Sequence, residues 1–378
     1  MSAVLDAGTA GAASAAIPTP HRSIATEAAP AVPAAPTVAI VLLGTGVVGG
    51  ALLKLLNTPA AARVRLVGAA NSRRQQTSAA RLASRSLREQ LNNQGDVRDN
   101  AALLAALDHS GAAARVIIDA TASTALASQH AQWLARGYHV VTANKALAGG
   151  ELAGWRALQA ATANGGRYGD AATVGAGLPV LSTLRRLRLC GDSLLTLEGV
   201  FSGSLSWLFN QYDGKTPFSA LLREARRLGY TEPDPRSDLS GDDVARKLLI
   251  IARNAGFALG SDEVVVEGLV PEVLRELDTG TFLERLQELD APLAARHAEA
   301  ASRGCVLRFL ARLNQRGHAR VGLVEVPGTH PAARLSGTDN QFALTTTRYN
   351  AQPLVIQGPG AGPEITAQAL LGDVLALS

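Results

Sequence analysis

The first regular pattern in the chain is an uninterrupted apolar run at residues 37–43 (TVAIVLL), rich in β-branched residues and without polar alternation. Such a run predicts a short strand that is covered on both faces, as in a parallel sheet. A glycine turn follows at residues 44–49, and residues 48–56 continue with apolar side chains at helical spacing. Together they predict a buried strand, a tight turn and a helix.

Similar apolar runs recur through the first half of the chain. Residues 63–70 (RVRLVGAA), 115–120 (RVIIDA) and 139–142 (HVVT) predict three more strands, and residues 125–136 predict a helix. Strands that alternate with helices indicate right-handed βαβ units on a doubly wound sheet. We therefore predict an α/β fold in which residues 37–170 form a Rossmann-type dinucleotide-binding domain.

The pattern becomes less regular beyond residue 170. Strand-like segments at residues 193–201, 321–326 and 342–347 are separated by glycine-rich elbows and amphipathic helices. This mixture is typical of an α+β arrangement, and we assign residues 171–340 to a second domain. The final segment, residues 341–378, ends in a strand, a glycine elbow and a helix. We expect it to return to the first domain and complete it.

Residues 1–36 consist mainly of Ala, Pro, Thr and Ser, with few large apolar side chains. A segment of this composition buries too little surface to offset its ordering entropy, so we predict a disordered tail. It has no lysine or arginine before Arg22 and no continuous apolar core. These features are not those of a signal peptide.

The overall composition narrows the class of protein. Hydrophobic residues make up 47% and charged residues 18% of the chain, and no apolar run approaches the roughly 18 residues of a membrane helix. We therefore expect a soluble protein without a membrane partner. Cys190 and Cys305 are too few for a disulfide framework, which favours the cytoplasm. The net charge of +4 comes from arginines dispersed among acids, so we expect no nucleic-acid partner.

The glycine turn is a dinucleotide-binding motif of the GxGxxG type. In this context Gly44 permits a tight turn, Gly46 lets the backbone approach a pyrophosphate, and Gly49 allows the helix to pack closely on the strand. The amides at the start of the helix then point at the phosphates. The cofactor-binding residues predicted here are Gly44, Thr45, Gly46, Val47, Val48 and Gly49.

The residues that end the second strand predict the choice of cofactor. NAD-selective sites usually carry Asp or Glu there, whereas this chain has residues 71–74 (NSRR). A guanidinium can pair with a 2′-phosphate, so Arg73 favours NADP, with NAD as a second cofactor. The alternative is that Arg73 is merely solvated. Thr121 and Ser123, which follow the next strand, face the nicotinamide or cap a helix.

Residues 229–247 (GYTEPDPRSDLSGDDVARK) combine a proline-stiffened acidic loop with the start of a helix. Ser240 resembles an N-cap, with Asp243 in the capping-box position. Asp243 and Lys247 are four residues apart and therefore share one helix face, beside an apolar stripe. Lys247 is a candidate catalytic residue. An ordinary surface ion pair is the alternative interpretation.

Several motifs together resemble those of homoserine dehydrogenases. They are GTGVVG, VVTANKALA, VGAGLPV, FSGSLSWLFN, the block from GYTEPDPR to DDVARK, and IQGPGAG. They occur in the family's order over roughly residues 38–375. Their residues are most similar to those of the dehydrogenase half of bifunctional aspartokinase–homoserine dehydrogenases. The aspartokinase half and a C-terminal regulatory domain have no counterpart here, so we expect weak or absent inhibition by threonine.

The resemblance implies that the chain interconverts L-homoserine and L-aspartate 4-semialdehyde with NAD(P), in the biosynthesis of threonine, methionine and isoleucine. Residues 171–340 would then form the catalytic and dimerisation domain of a homodimer. Lys247 matches the catalytic lysine, and Lys145 matches a second lysine at the substrate and nicotinamide. The matching substrate-binding positions are Glu232, Asp243, Tyr230 and Asp238. The matching nucleotide-contacting positions are Thr45, Gly46, Val47, Thr121, Gly229 and Gly362.

The VGAGL segment resembles a monovalent-cation loop and implies a sodium site with backbone carbonyls at Val174, Ala176 and Leu178. This chain has Ala171 where some relatives carry a glutamate, and Asp170 is the candidate replacement.

Two other functions fit the same fold. One is a catalytically silent NADP-binding regulator, but both lysines are present. The other is a different semialdehyde dehydrogenase, which needs a nucleophilic cysteine, and neither cysteine lies in a suitable glycine-rich setting.

Overall fold

The computed structural model describes residues 38–163 and 165–377. The predicted disordered tail, residues 1–36, lies outside the described residues. The first half contains a seven-stranded sheet with helices on both faces. Its strands are β1 (Val38–Leu43), β2 (Val64–Ala70), β3 (Arg74–Thr77), β4 (Asp96–Val97), β5 (Ala114–Asp119), β6 (His139–Thr142) and β7 (Tyr168–Gly169). Its helices are α1 (Val47–Leu55), α2 (Leu87–Gln94), α3 (Asn100–Asp108), α4 (Thr124–Ala127), α5 (His130–Ala135) and α6 (Leu152–Thr162).

The strand order is β4-β3-β2-β1-β5-β6-β7. β2, β1, β5, β6 and β7 run parallel, whereas β3 and β4 form an antiparallel edge. The order reverses between β1 and β5. This is the switch point of a doubly wound sheet, where ligands bind beyond the carboxyl ends of the strands. The predicted α/β fold is confirmed.

All six residues of β1 are buried, as the apolar run predicts. Its alternate residues enter two different hydrophobic clusters: Ala39 and Val41 in one, Ile40 and Leu42 in the other. Both faces of the strand are therefore covered, which explains why its sequence lacks polar alternation. The predicted helix over residues 125–136 is instead two short helices, α4 and α5. They are separated at Ser128, whose hydroxyl donates to the carbonyl of Ala125.

The second half is built on a six-stranded sheet. Its strands are β8 (Leu194–Val200), β9 (Val264–Val266), β10 (Cys305–Asn314), β11 (Ala319–Pro327), β12 (Asp339–Thr346) and β13 (Leu354–Pro359). The helices are α7 (Val180–Leu189), α8 (Gly203–Gln211), α9 (Phe218–Arg227), α10 (Arg236–Leu239), α11 (Asp242–Ala255), α12 (Glu272–Arg275), α13 (Thr279–Glu284), α14 (Asp290–Ser302) and α15 (Pro363–Leu375). Within the described ranges, none of these or the earlier helices is long and apolar enough to cross a membrane.

The order of this second sheet is β13-β12-β8-β10-β11-β9. All of its pairs are antiparallel except β9 with β11. One face of β10, including Phe309 and Ala311, belongs to the large core that α11 also enters through Val244, Leu248 and Ile251. This packing places the start of α11 next to the first sheet.

The expectation that the whole of residues 341–378 completes the first domain is wrong for its strands. β12 pairs with β8 in the second sheet, and β13 pairs with β12 at the edge of that sheet. Residues 347–353 form only a short connection, which favours an antiparallel hairpin over a crossover to a distant sheet. Only α15 reaches the first half, where Ala367, Leu370 and Val374 enter the core beside β1 and α1.

Candidate active site

The glycine turn after β1 has the geometry that its motif requires. Gly44 has a φ of 93°, and a Cβ placed there would meet the Thr121 side chain at 2.7 Å. A Cβ at Gly49 would lie 1.9 Å from the carbonyl oxygen of Gly44, so α1 can approach the turn only without a side chain. Gly46 instead faces open space and begins α1 without a capping side chain. The first amides of α1 are therefore available to a phosphate group.

A cavity of about 320 Å³ opens beside this turn, and we call it the dinucleotide cavity. It joins five sequence motifs that are far apart in the chain: GTGVVG, TANK, VGAG, DDVARK and GPGAGP. Its lining residues are Val47, Val48, Ala143, Lys145, Ala172, Thr173, Gly175, Ala176, Lys247, Gly360, Ala361, Gly362, Pro363 and Thr366.

Thr45, Thr121 and Ser123 are not among the residues that line this cavity. Thr45 is buried. The Thr121 hydroxyl donates to Asp119 at 2.7 Å, and the Ser123 hydroxyl accepts from the amide of Leu126 as the N-cap of α4. The Ser123 hydroxyl therefore caps α4, and its contact with the nicotinamide stays a prediction.

Two other predicted cofactor residues lie away from the lining. Gly229 has a φ of 74°, follows the end of α9 and leads into the acidic loop. Arg73 lies on an exposed turn after β2, where its side chain has no hydrogen-bond or ion-pair partner among the described residues.

A second cavity of about 470 Å³ adjoins the acidic loop, and we call it the acidic cavity. It is lined mainly by hydroxyl and carboxylate side chains with two cations. The lining residues are Lys145, Ser202, Glu232, Ser237, Asp238, Ser240, Asp242, Asp243, Val244 and Arg246. Lys145 lines both cavities, so it lies where a cofactor and a small polar substrate would meet.

Asp243 lies between the two candidate lysines. Its Oδ1 is 3.5 Å from the Nζ of Lys145, and its Oδ2 is 2.8 Å from the Nζ of Lys247. Burial alone would raise the pKa of Asp243, but the charges of Lys247 and Lys145 outweigh it and lower this pKa to about 2. The carboxylate therefore stays negatively charged at neutral pH and holds both ammonium groups.

Lys247 is more enclosed than Lys145. Its side chain is 12% exposed, against 29% for Lys145, and its Nζ also donates to the carbonyl of Phe201 at 2.7 Å. An ammonium group has three N–H donors. Two of them are used by Asp243 and Phe201, which leaves one for a group outside the protein. This arrangement differs from a solvated surface pair, the alternative interpretation of the i,i+4 spacing.

The predicted capping box at Ser240 is wrong. Gly241 is the N-cap of α11, with a φ of 82°, and Ser240 instead ends the short helix α10. A side chain on Gly241 would press against Phe309, with its Cβ 3.0 Å from that ring. The left-handed backbone and the contact with Phe309 thus require glycine at position 241. Asp243 is not used in a capping box, and its carboxylate pairs with the lysines instead.

Asp238 and Tyr230 have contacts that the sequence could not indicate. Asp238 accepts from the Ser204 hydroxyl at 2.7 Å and from the amide of Glu232 at 2.9 Å. Burial raises the pKa of Asp238 despite these two donors. Asp238 therefore holds the Glu232 loop in place, while Tyr230 rests its ring against Trp207 at 5.6 Å.

Sequence reasoning missed several polar groups at the site. Ser202 and Ser204 belong to the quoted FSGS motif, whose two hydroxyls before a helix were an available signal. Arg246 neighbours Lys247 and lines the acidic cavity. Asp119 and Asn144 are buried beneath the site, and their partners lie too far apart in sequence to be predicted.

The predicted sodium loop contains two residues with a left-handed backbone conformation, Gly175 with a φ of 71° and Ala176 with a φ of 53°. The carbonyl of Leu178 already accepts from the amide of Val180 at 2.8 Å. Asp170, the candidate replacement for the missing glutamate, pairs with Arg185 instead. Among the described residues, no cluster of three or more His, Cys, Asp or Glu side chains suits a metal ion.

A glycine turn at the switch point of a doubly wound sheet, next to two lysines that share one carboxylate, defines an NAD(P)-dependent oxidoreductase. Comparisons with known proteins give the family. Residues 44–168 match the model of the homoserine dehydrogenase NAD-binding domain, and residues 179–375 match that of homoserine dehydrogenase itself. The chain belongs to the homoserine dehydrogenase family, as its motifs predict.

Individual relatives agree with this family. The chain is 40% identical to the homoserine dehydrogenase of Emericella nidulans, over 69% of this chain and 74% of that protein. It is 39% identical to the chloroplastic bifunctional aspartokinase/homoserine dehydrogenase 2 of Zea mays, over 90% of this chain but only 38% of that protein. A solved structure of a putative homoserine dehydrogenase from Archaeoglobus fulgidus superposes with a TM-score of 0.71 at 26% identity. It covers 90% of this chain and 99% of that one.

Proposed function

We propose that the protein catalyses the reversible oxidation of L-homoserine to L-aspartate 4-semialdehyde with NAD(P)+, as a step in threonine, methionine and isoleucine biosynthesis. The observation that carries this proposal is the position of Lys145, which lines both the dinucleotide cavity and the acidic cavity. The bound nicotinamide supplies or accepts the hydride. The protein side chains bind the amino acid and move the proton of its hydroxyl group.

Lys247 is the proposed proton carrier. When homoserine is oxidised its amine accepts the hydroxyl proton, and in the reverse direction its ammonium donates that proton to the developing alkoxide. The positive charge also stabilises negative charge that develops on the oxygen. Asp243 and the carbonyl of Phe201 hold the Nζ by two of its three donors, so the third N–H direction is the one that meets the substrate.

The acidic cavity suits an amino acid. Its carboxylates, including Glu232 and Asp243, can bind the ammonium group of homoserine, and the lysines can bind its carboxylate or its reacting oxygen. Asp238 supports Glu232 through the amide hydrogen bond. We therefore assign Glu232 and Asp243 to substrate binding and Asp238 to holding the loop.

NADP is the proposed preferred cofactor, with NAD as a second one. Asn71 Oδ1 accepts from the amides of Arg73 and Arg74, at 2.8 and 2.7 Å, and the Arg74 guanidinium donates to the carbonyl of Gly95. These bonds fix the turn and leave the Arg73 guanidinium free to meet a 2′-phosphate. No carboxylate occupies residues 71–74 to hold the ribose hydroxyls of NAD.

Sodium has no part in the proposed reaction. In the loop of Val174, Ala176 and Leu178, the Leu178 carbonyl already accepts from the amide of Val180, and the Asp170 carboxylate is paired with Arg185. The donor set therefore fits the ion poorly.

We also propose a homodimer formed through residues 171–340, which leaves residues 37–170 to the cofactor. The face of the second sheet turned away from the main core carries Glu198, paired with Arg312 at 2.9 Å and with His330 at 3.3 Å. The short 3-10 helix Pro331–Arg334 packs beside this cluster on β10 and β11, but the side chains of Glu198 and Arg312 are 36% and 40% exposed, so the face suits a second copy of the chain. Light scattering would test this, and a monomer mass would contradict it.

We place the enzyme in the cytoplasm, because Cys190 and Cys305 are both free thiols.

The proposed activity is tested by following NADPH formation when homoserine is added to the protein with NADP+. L-2-Aminobutyrate, which lacks the hydroxyl group, is the matched control and should give no signal. NADPH binding without homoserine oxidation would favour the silent regulator. A thioester-forming semialdehyde dehydrogenase is disfavoured because neither cysteine lines the two cavities.

A further inference from the structure

A fully buried carboxylate lies beneath the site, at the end of β5. Asp119 is 0% exposed and accepts four hydrogen bonds, two on each oxygen. Oδ1 accepts from the amide and the hydroxyl of Thr121 at 2.9 and 2.7 Å. Oδ2 accepts from His130 Nε2 at 3.0 Å and from Asn144 Nδ2 at 2.9 Å. Every partner donates, so the carboxyl group is used entirely as an acceptor.

The four donors come from the turns after β5 and β6, of which the second lines the dinucleotide cavity, and from a helix behind them. The turn after β5 contains Thr121 and Ser123, and the turn after β6 contains Asn144 and Lys145. Asn144 Nδ2 also donates to the carbonyl of Ser123 at 2.9 Å, which joins the two turns directly. The Thr121 side chain contacts the position where Gly44 can carry no Cβ. Asp119 thus links the glycine turn, the strand-end turn and the lysine turn.

His130 completes the network from behind. Its Nδ1 lies 3.2 Å from the hydroxyl of Tyr168. Burial raises the pKa of Tyr168 well above its usual value, so this hydroxyl keeps its proton and donates a hydrogen bond to Nδ1. The histidine then carries its own proton on Nε2, which is the tautomer that donates to Asp119. A polar network in which every member is satisfied is rigid.

We infer that Asp119 is a positioning residue for the proposed reaction, which holds Lys145 in register with the cofactor-binding turn through Asn144 and Thr121. This inference rests on the proposed function for the role of Lys145, but not for the link between Asp119 and cofactor binding. Asp119 itself touches neither cavity, since it is fully enclosed. Its effect on turnover must therefore act through the geometry of the two turns.

Asp119→Asn tests the inference because an amide offers one acceptor oxygen and turns two N–H donors towards existing donors. We expect kcat to fall by about 10- to 100-fold, since small misplacements of catalytic groups have effects of that size. We also expect the rise in melting temperature that NADPH induces to shrink. A merely structural role would lower the melting temperature with and without NADPH equally and leave that increment unchanged.

Asp108→Asn is the matched control. Asp108, the last residue of α3, accepts from the hydroxyl of Tyr138 and pairs with Arg115 at the opposite end of β5. We expect it to leave kcat and the NADPH increment as in the wild type. Asn144→Ala is the second variant, and it keeps the answer available if Asp119→Asn does not fold. It removes the bonds from Asn144 to Asp119 and Ser123 and the bond from Ala146 within the lysine turn, but keeps the Asp119 carboxylate and its contacts with Thr121 and His130. We therefore expect a lower kcat with a smaller loss of the NADPH increment.

A wild-type kcat and a wild-type NADPH increment in folded Asp119→Asn would overturn the inference, as would a wild-type kcat in Asn144→Ala. The increment is measured without homoserine. If the wild-type protein failed to oxidise homoserine while Asp119→Asn still abolished the increment, the proposed reaction would be refuted and the link between Asp119 and cofactor binding would stand.

Discussion

The first half of the molecule buries its polar groups beneath the site, whereas the second half exposes its polar groups along the site. Asp119, Thr142 and Asn144 are at most 2% exposed, and they hold turns between parallel strands. In the second half, the carboxylates around the acidic cavity are reached by solvent, and the Asp243 side chain is 47% exposed. The cofactor side is thus held by enclosed hydrogen bonds, and the substrate side by ion pairs in an open cavity.

This difference separates two kinds of experimental effect. A change on the substrate side of the second half should alter turnover with little effect on cofactor binding, whereas a change in the first half should alter cofactor binding and lowers turnover only where it displaces Lys145. Lys145 joins the two effects, because its side chain reaches from the first half to Asp243 on α11. Four substitutions test this division.

The largest effect is expected for Lys247→Ala, which removes the proposed proton carrier from the second half. Turnover should fall by about 10²–10⁴. The NADPH affinity measured by fluorescence titration should change little, because the Nζ of Lys247 is held by Asp243 and the carbonyl of Phe201, although its side chain borders the dinucleotide cavity. Lys247→Arg should not restore activity, because a guanidinium keeps its proton and has a different shape. Lys215→Ala, at an exposed loop, is the control. Near-wild-type turnover in Lys247→Ala would reduce the residue to a structural ion pair with Asp243.

Lys145→Ala should lower turnover to a similar or slightly smaller extent and also weaken NADPH binding, because Lys145 lines both cavities. Initial rates and the same NADPH titration measure the two effects. If Lys145→Ala lowered turnover without weakening NADPH binding, as Lys247→Ala should, Lys145 would act with the substrate side of the site and not with the cofactor side.

Arg73→Ala should change cofactor choice and little else. Loss of one charge-assisted hydrogen bond to the 2′-phosphate should lower the ratio of kcat/KM for NADP to that for NAD by about tenfold or more. Arg74→Ala is the matched control, since its guanidinium donates to the carbonyl of Gly95. A wild-type preference for NAD, together with an unchanged ratio in Arg73→Ala, would show that the specificity prediction is wrong.

Asp373→Asn should have the smallest effect of the four substitutions, and it should change stability without changing turnover. Burial raises the pKa of Asp373 from 3.8 to about 6, and the nearby Asp170 adds to this. A folded-state pKa that is raised favours the protonated form, so its stability contribution is complete below pH 3.8 and is lost as the pH rises through about 6. The neutral asparagine keeps an acceptor for the amide of Ala171.

The melting temperature of Asp373→Asn should therefore exceed that of the wild type by about 2 °C or more at pH 8 and match it near pH 4. Asp96→Asn, at an exposed carboxylate, is the control. Equal melting temperatures at pH 8 would mean that water reaches Asp373 in the folded protein.

The predictions that succeeded depend on local patterns. The run at residues 37–43 carries its own burial signal, and the glycine turn needs only neighbours within six positions. The pairing of Asp243 with Lys247 follows from helix periodicity alone. Ser240 was misassigned because the left-handed Gly241 is set by contact with Phe309, which is distant in sequence. β12 and β13 were placed with the wrong sheet because strand partners depend on the path of the chain in space.

The sequence by itself determined the doubly wound first half, the dinucleotide-binding turn, the family and both lysines, because each depends on residues close together in the chain or on motifs quoted in order. Only the tertiary structure decided that the two lysines share Asp243, that Lys145 lines both cavities and that Asp119 lies beneath them. The physical reason is that a buried carboxylate needs several donors at hydrogen-bond distance. The donors to Asp119 reach it from separate strand ends and a helix, whose approach is set by the packing of the whole sheet.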